Sequence, residues 1–97
     1  MIERFVYLRL KEGVSADEVQ REIRRVFDDL PGIAGYRVGV PADAHARAAW
    51  DLLLAVRFAG LDEVDAYAVE PTHRAFVDGY LSARVEVKKA WNFRVEP

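Results

Sequence analysis

The stretch from Glu3 to Leu10 alternates so that large apolar groups fall on both sides of one strand. Arg4, Val6, Leu8 and Leu10 share one side; Glu3, Phe5, Tyr7 and Arg9 share the other. Successive side chains of a strand point to opposite faces, so this division follows from the spacing alone. A strand with one wet face carries its apolar groups on one side only. This one needs cover on both, from helices on one side and from a partner on the other.

The rest of the chain supplies the helices. Ser15-Ala16-Asp17-Glu18 has the capping-box pattern, with Ser15 as cap. Val19, Ile23, Val26, Phe27 and Leu30 follow at helical spacing, and Pro31-Gly32 ends the helix. Ile33 to Val40 reads as a second strand, whose Gly35 and Gly39 suit a bulge or a close backbone approach. Residues 41–48 read as a polar, alanine-rich loop. Trp50, Leu52, Leu54, Val56 and Phe58 alternate with Asp51, Leu53, Ala55 and Arg57, which predicts a third strand. After Gly60, Val64, Tyr67 and Ala68 begin a second helical region. It continues through Phe76, Val77, Tyr80 and Leu81, with Gly79 as a local weakness. Lys89 to Val95 alternates again and predicts a fourth strand.

The order is β-α-β-β-α-β, the ferredoxin-like arrangement of the α+β class, with a four-stranded antiparallel sheet. Nothing divides it, so residues 1–97 are expected to form a single domain. Helices on one sheet face leave the other bare. A face bearing Phe5 and Tyr7 is too large an apolar patch for a monomer. Sheet-to-sheet pairing would bury it, so a homodimer is expected.

Composition narrows the partners. The net charge is −2 with no basic block, which argues against nucleic acid as a main partner. The opening residues are too polar for a signal peptide, and no apolar run is long enough to span a membrane. There is no cysteine, which excludes disulfides and thiol chemistry. A soluble cytoplasmic protein is the expectation. No glycine-rich phosphate loop and no metal-ligand cluster stands out, so neither cofactor nor metal is expected.

Chemistry concentrates in Tyr67-Ala68-Val69-Glu70-Pro71-Thr72-His73-Arg74-Ala75-Phe76. Pro71 breaks one helix and opens the next, since its missing N–H is unpaired in a first turn anyway. His73 then lies in that first turn, where the positive end of the helix favours the neutral imidazole. His73 is the candidate base or ligand contact, and Tyr67 the candidate pocket hydroxyl. Arg4 would hold an acidic ligand if its side of the strand faces the helices. Glu70 reads as a helix-capping or solvated carboxylate, and His45 as a loop residue. Trp50 and Trp91 read as packing aromatics.

The chain resembles the Dabb family, the stress-responsive dimeric α/β-barrel proteins. The resemblance spans nearly the whole sequence. It rests on Phe5-Val6-Tyr7-Leu8-Arg9-Leu10-Lys11, on Leu30-Pro31-Gly32-Ile33 and on Trp50 to Phe58. Its most specific part is Asp65 to Val77, which looks like the family's D-x-Y-x-x-H-P-x-H-x-x-F pattern.

The resemblance implies two ferredoxin-like chains packed sheet to sheet into a barrel, each with a pocket between sheet and helices. Family members include plant stress-associated proteins and a polyketide cyclase that closes a linear tetraketide by aldol condensation. The cyclase's P-x-H histidine matches His73, and the tyrosine before that motif matches Tyr67. Three further family histidines are replaced here, by Arg4, Leu52 and Glu70. The implied function is a homodimer with a pocket for a small hydrophobic or anionic ligand, contacted by Arg4, Tyr67 and His73. The alternative is a cofactor-free enzyme of the polyketide cyclase or small monooxygenase type, with His73 and Tyr67 as catalytic residues.

Overall fold

A computed structural model describes residues 1–96; Pro97, the end of the expected domain, lies outside the described residues. Its strands are β1 (Ile2–Leu10), β2 (Gly35–Gly39), β3 (Leu52–Phe58) and β4 (Val85–Arg94). Its helices are α1 (Ala16–Phe27), α2 (Ala44–Ala49), α3 (Leu61–Ala68) and α4 (Pro71–Ala75). A π-helical segment, Phe76–Leu81, continues α4. The strands form one antiparallel sheet in the order β2-β3-β1-β4. This is the expected ferredoxin-like α+β arrangement with one added helix.

That helix, α2, corrects the reading of residues 41–48 as a loop. Asp43 caps it by accepting from the Ala46 N–H at 2.8 Å. The alanines between have the highest helix propensity, so a short helix follows once the cap is made. The third strand consequently starts at Leu52 rather than Trp50, since Trp50 is the helix's C-terminal cap. The other boundaries move outward or inward by a few residues. The first helix ends at Phe27, β2 shrinks to Gly35–Gly39, and β4 begins earlier than Lys89, at Val85. Cap, sheet and turn geometry set these limits, and apolar spacing marks them only roughly.

Ser15 does cap α1, accepting from the Glu18 N–H at 3.2 Å. Gly32 lies in the left-handed region with φ 83°, which lets the chain reverse after Pro31. A side chain carbon at Gly35 would meet nothing within 4 Å, so no close approach explains that glycine.

The two sheet faces differ sharply. One packs under α1, α3 and the α4–π segment, where Val6, Leu8, Leu54, Val56 and Phe58 are buried with Val19, Ile23 and Phe27. The other carries Phe5 and Tyr7 of β1 beside Trp91 and Phe93 of β4, following the register Phe5↔Trp91 and Glu3↔Phe93. Trp91 is 52% exposed and Phe93 54%. Their rings touch those of β1: Phe5 and Phe93 lie edge to face at 5.8 Å, and Tyr7 and Trp91 at 6.2 Å. One end of this face is charged, with Glu3 buried beneath an ion pair to Arg37 at 3.2 Å.

Candidate functional site

The site is built where α3 stops and α4 restarts. Glu70 is extended and cannot continue α3; the residue before a proline is pushed to such a conformation. Pro71 then occupies the first turn of α4. The Glu70 carboxylate accepts from the N–H of Thr72 at 2.9 Å and of His73 at 2.8 Å. These bonds hold its carboxyl below the usual range, led by the one from His73. Glu70 is therefore the cap that fixes where His73 stands.

His73 is 8% exposed. Its ring stacks on that of Tyr67 with centroids 3.8 Å apart and planes 26° from parallel. Nδ1 lies 2.8 Å from the Tyr67 carbonyl oxygen. A carbonyl can only accept, so Nδ1 carries the proton and Nε2 keeps a lone pair. Burial lowers the imidazole's pKa most, the Tyr67 carbonyl opposes it, and Arg74 and Arg4 lower it further. Desolvation thus adds its own push to the neutral ring expected of a histidine in a first helical turn.

Tyr67 is buried against Phe58 (centroids 5.0 Å) and Phe27 (6.4 Å). Burial pushes its phenol well above the ordinary value, while the Arg4 guanidinium works the other way. Arg4 is half-buried on the helix-covered side of β1, beside Val6, and Nη1 donates to Asn92 Oδ1 at 3.1 Å.

These three side chains line one cavity of about 280 Å³ between the sheet and the helices. Val6, Phe27, Leu54, Val64 and Phe76 give it apolar walls. The other residues weighed in the sequence stand elsewhere. His45 is exposed on α2, and Leu52 is buried in the core outside the cavity lining. Trp50 and Trp91 pack around Tyr7 on the open face. Four polar residues of the lining were not singled out by sequence: Asp65, Arg74, Lys88 and Asn92. For Asn92 a signal existed, because β4 alternates and places it with Ala90 on the covered side. Among the described residues no group of three or more His, Cys, Asp or Glu could hold a metal ion. No helix among them is long and apolar enough to cross a membrane.

The fold defines a ferredoxin-like α+β protein with a cavity between sheet and helices. The chain belongs to the Dabb family: residues 2–88 match the model of the stress-responsive A/B barrel domain. Solved structures share the fold. A Dabb-family protein from Mesorhizobium loti superposes with a TM-score of 0.81 at 17% identity, covering 99% of this chain and 97% of that one. A dimeric ferredoxin-like protein of unknown function from Bacteroides fragilis gives 0.78 at 22%, covering 97% and 95%. The hydroxynitrile lyase of Passiflora edulis gives 0.80 at 13%, covering 98% and 93%. No curated protein sequence matches the chain.

Proposed function

We propose that the chain acts as a single, cytoplasmic Dabb-like domain that pairs with a second copy and binds a small molecule in this cavity. The ligand is a small hydrophobic or anionic compound, with His73, Tyr67 and Arg4 as its polar contacts. The observation that carries this reading is the convergence of those three side chains on one cavity with apolar walls. Small-molecule sites have that make-up, an apolar lining with few convergent polar groups, though this cavity lies just below their usual size range of roughly 300 Å³ upward.

Pairing through the open sheet face is supported by its aromatic exposure and by the dimeric descriptions of relatives with this fold. A second copy laid on that face would remove Trp91 and Phe93 from water. Sedimentation analysis at micromolar concentration tests it: a dimer is expected, and a monomer there contradicts it.

The fixed tautomer of His73 favours a second, catalytic reading. With Nδ1 anchored, Nε2 would take a proton from a carbon beside a carbonyl, and the Tyr67 hydroxyl and Arg4 would hold the developing oxyanion. Such general base assistance contributes about 10²–10⁴-fold. The hydroxynitrile lyase among the relatives indicates that this fold includes an enzyme. Proton exchange of aryl methyl ketones in D2O, followed by NMR, tests the step. Acceleration by the native protein, lost in a folded His73→Ala variant, supports catalysis. Exchange at the background rate with both proteins leaves binding alone. A His73→Ala variant that stays folded and keeps full ligand affinity would remove His73 from the site.

A further inference from the structure

The cavity is lopsided in charge. Its lining holds three cations, Arg4, Arg74 and Lys88, against one carboxylate, Asp65. Arg74 is satisfied by an ion pair with Asp78 four residues on. Among the described residues, neither Arg4 nor Lys88 lies within ion-pair distance of any carboxylate.

Arg4 is the more telling of the two. Its side chain rises from the sheet face that bears the core, beside Val6, and it is half-buried there. Its side-chain hydrogen bond is to Asn92, the residue opposite it on β4. A carboxamide oxygen accepts one bond and orients the guanidinium. It does not neutralise it, and among the described residues the rest of the planar donor fork has no side-chain partner. A cation held this way at the cavity wall is poised for an anion, because their attraction is stronger beside apolar walls than in bulk water. Lys88 rises from the same side of β4, opposite Leu8, and adds a second positive charge to the lining.

We propose that the cavity selects carboxylic acids over neutral molecules of the same shape. Arg4 is the carboxylate contact, Asn92 is the positioning residue that orients it without cancelling its charge, and Lys88 is a second cation that raises acid affinity. The ligand is then an acid whose apolar body lies against Val6, Leu54 and Phe76, with its charge towards β4. This inference rests on the binding role proposed for the cavity and assigns the chemical class of what enters it.

The test is isothermal titration with arylalkanoic acids, phenylacetate through 6-phenylhexanoate, each paired with its primary amide. At least one acid should bind on the order of tenfold or more tightly than its amide, the scale of a charge-assisted hydrogen bond. Asn92→Asp is close to isosteric and supplies Arg4 with its own carboxylate. It should erase the acid preference, read as the ratio of acid to amide affinity in the same variant. Lys88→Met should weaken acid binding by about two- to fivefold, as expected for an exposed charge. Equal binding of acid and amide overturns this inference and leaves the cavity reading standing. An acid preference that survives Asn92→Asp also overturns it. If neither acids nor amides bind, the binding role of the cavity fails with it. Circular dichroism spectra of both variants, compared with the native protein, keep misfolding from imitating either result.

Discussion

The two faces of the sheet are made by the same four strands and differ by one residue of register, yet their physical states are opposite. Under the helices, Leu8, Val56 and Phe58 are fully buried, and each is held by side chains of this chain alone. On the bare side, Phe5 packs edge to face with Phe93 and Tyr7 with Trp91; the two β1 rings are half-buried, and Trp91 and Phe93 stay open to water. The first face is a finished core. The second has the composition of a core without its other half. Alternation therefore does two jobs here: one set of residues folds the chain, and the other prepares a surface for assembly. The covered face is not uniform either. Where β3 supplies it the residues are apolar, while β1 contributes Arg4 and β4 contributes Lys88 and Asn92, and there the cavity lies.

The largest expected effect breaks the comparison on its finished side. Phe58→Ala removes a fully buried ring that also packs against Tyr67. It should cost about 3–5 kcal/mol of folding stability, read by urea denaturation. A loss under about 1 kcal/mol would mean that this face is not the core. Next comes the bare side. Trp91→Asp should leave the fold of one chain intact and weaken self-association by about 2 kcal/mol or more, read by sedimentation. Unchanged association would move any interface elsewhere. If instead the variant loses folding stability at concentrations where the native chain is monomeric, the two faces are not separable in the way described.

Smaller effects sharpen the picture around the cavity. Ser15→Ala removes the cap of α1, the helix that covers the sheet, and should cost about 1 kcal/mol by thermal denaturation. Glu70→Ala removes both bonds that seat the start of α4. Broadening of the His73 ring signals by NMR, with little change in the rest of the spectrum, is the expected result. The pH dependence is the smallest. Burial lowers the His73 pKa beneath its ordinary 6.5, so the unfolded chain binds this proton more readily than the folded one. Its contribution to stability is complete above about pH 6.5 and declines as the pH falls from there through the lower folded value. Stability of the native protein should drop over that window, and the drop should shrink in His73→Gln. An equal drop in both would assign it to carboxylates.

Much of this was legible in the residues. Period-two alternation located β1, β3 and β4, and the contrast between the sides of β1 exposed the need for two covers. The proline restart at Pro71 located His73, because that signal depends on local backbone chemistry. The short α2 was missed: its alanines have no apolar periodicity, and its one clear mark is the Asp43 cap. The π-helical turn over Phe76–Leu81 was also invisible, since Phe76, Val77, Tyr80 and Leu81 fit the broad apolar stripe of an α-helix equally well. Within the cavity, Tyr67 and His73 are neighbours in sequence and were easy to join. Arg4 and Asn92 meet only because β1 and β4 pair, across nearly the whole length of the chain. Sequence spacing carries no trace of such a contact unless the sheet order is already known.

The chain has two histidines, and they make the most direct test of the cavity's role. His73 lines the cavity, while His45 is exposed on α2 away from it. With ring-labelled histidine, titration of the arylalkanoic acids can be followed by NMR at both residues in one sample. The His73 resonances should shift and saturate, and those of His45 should stay in place. If His73 does not move in the folded protein, or if both histidines drift together without saturating, the cavity is not a binding site.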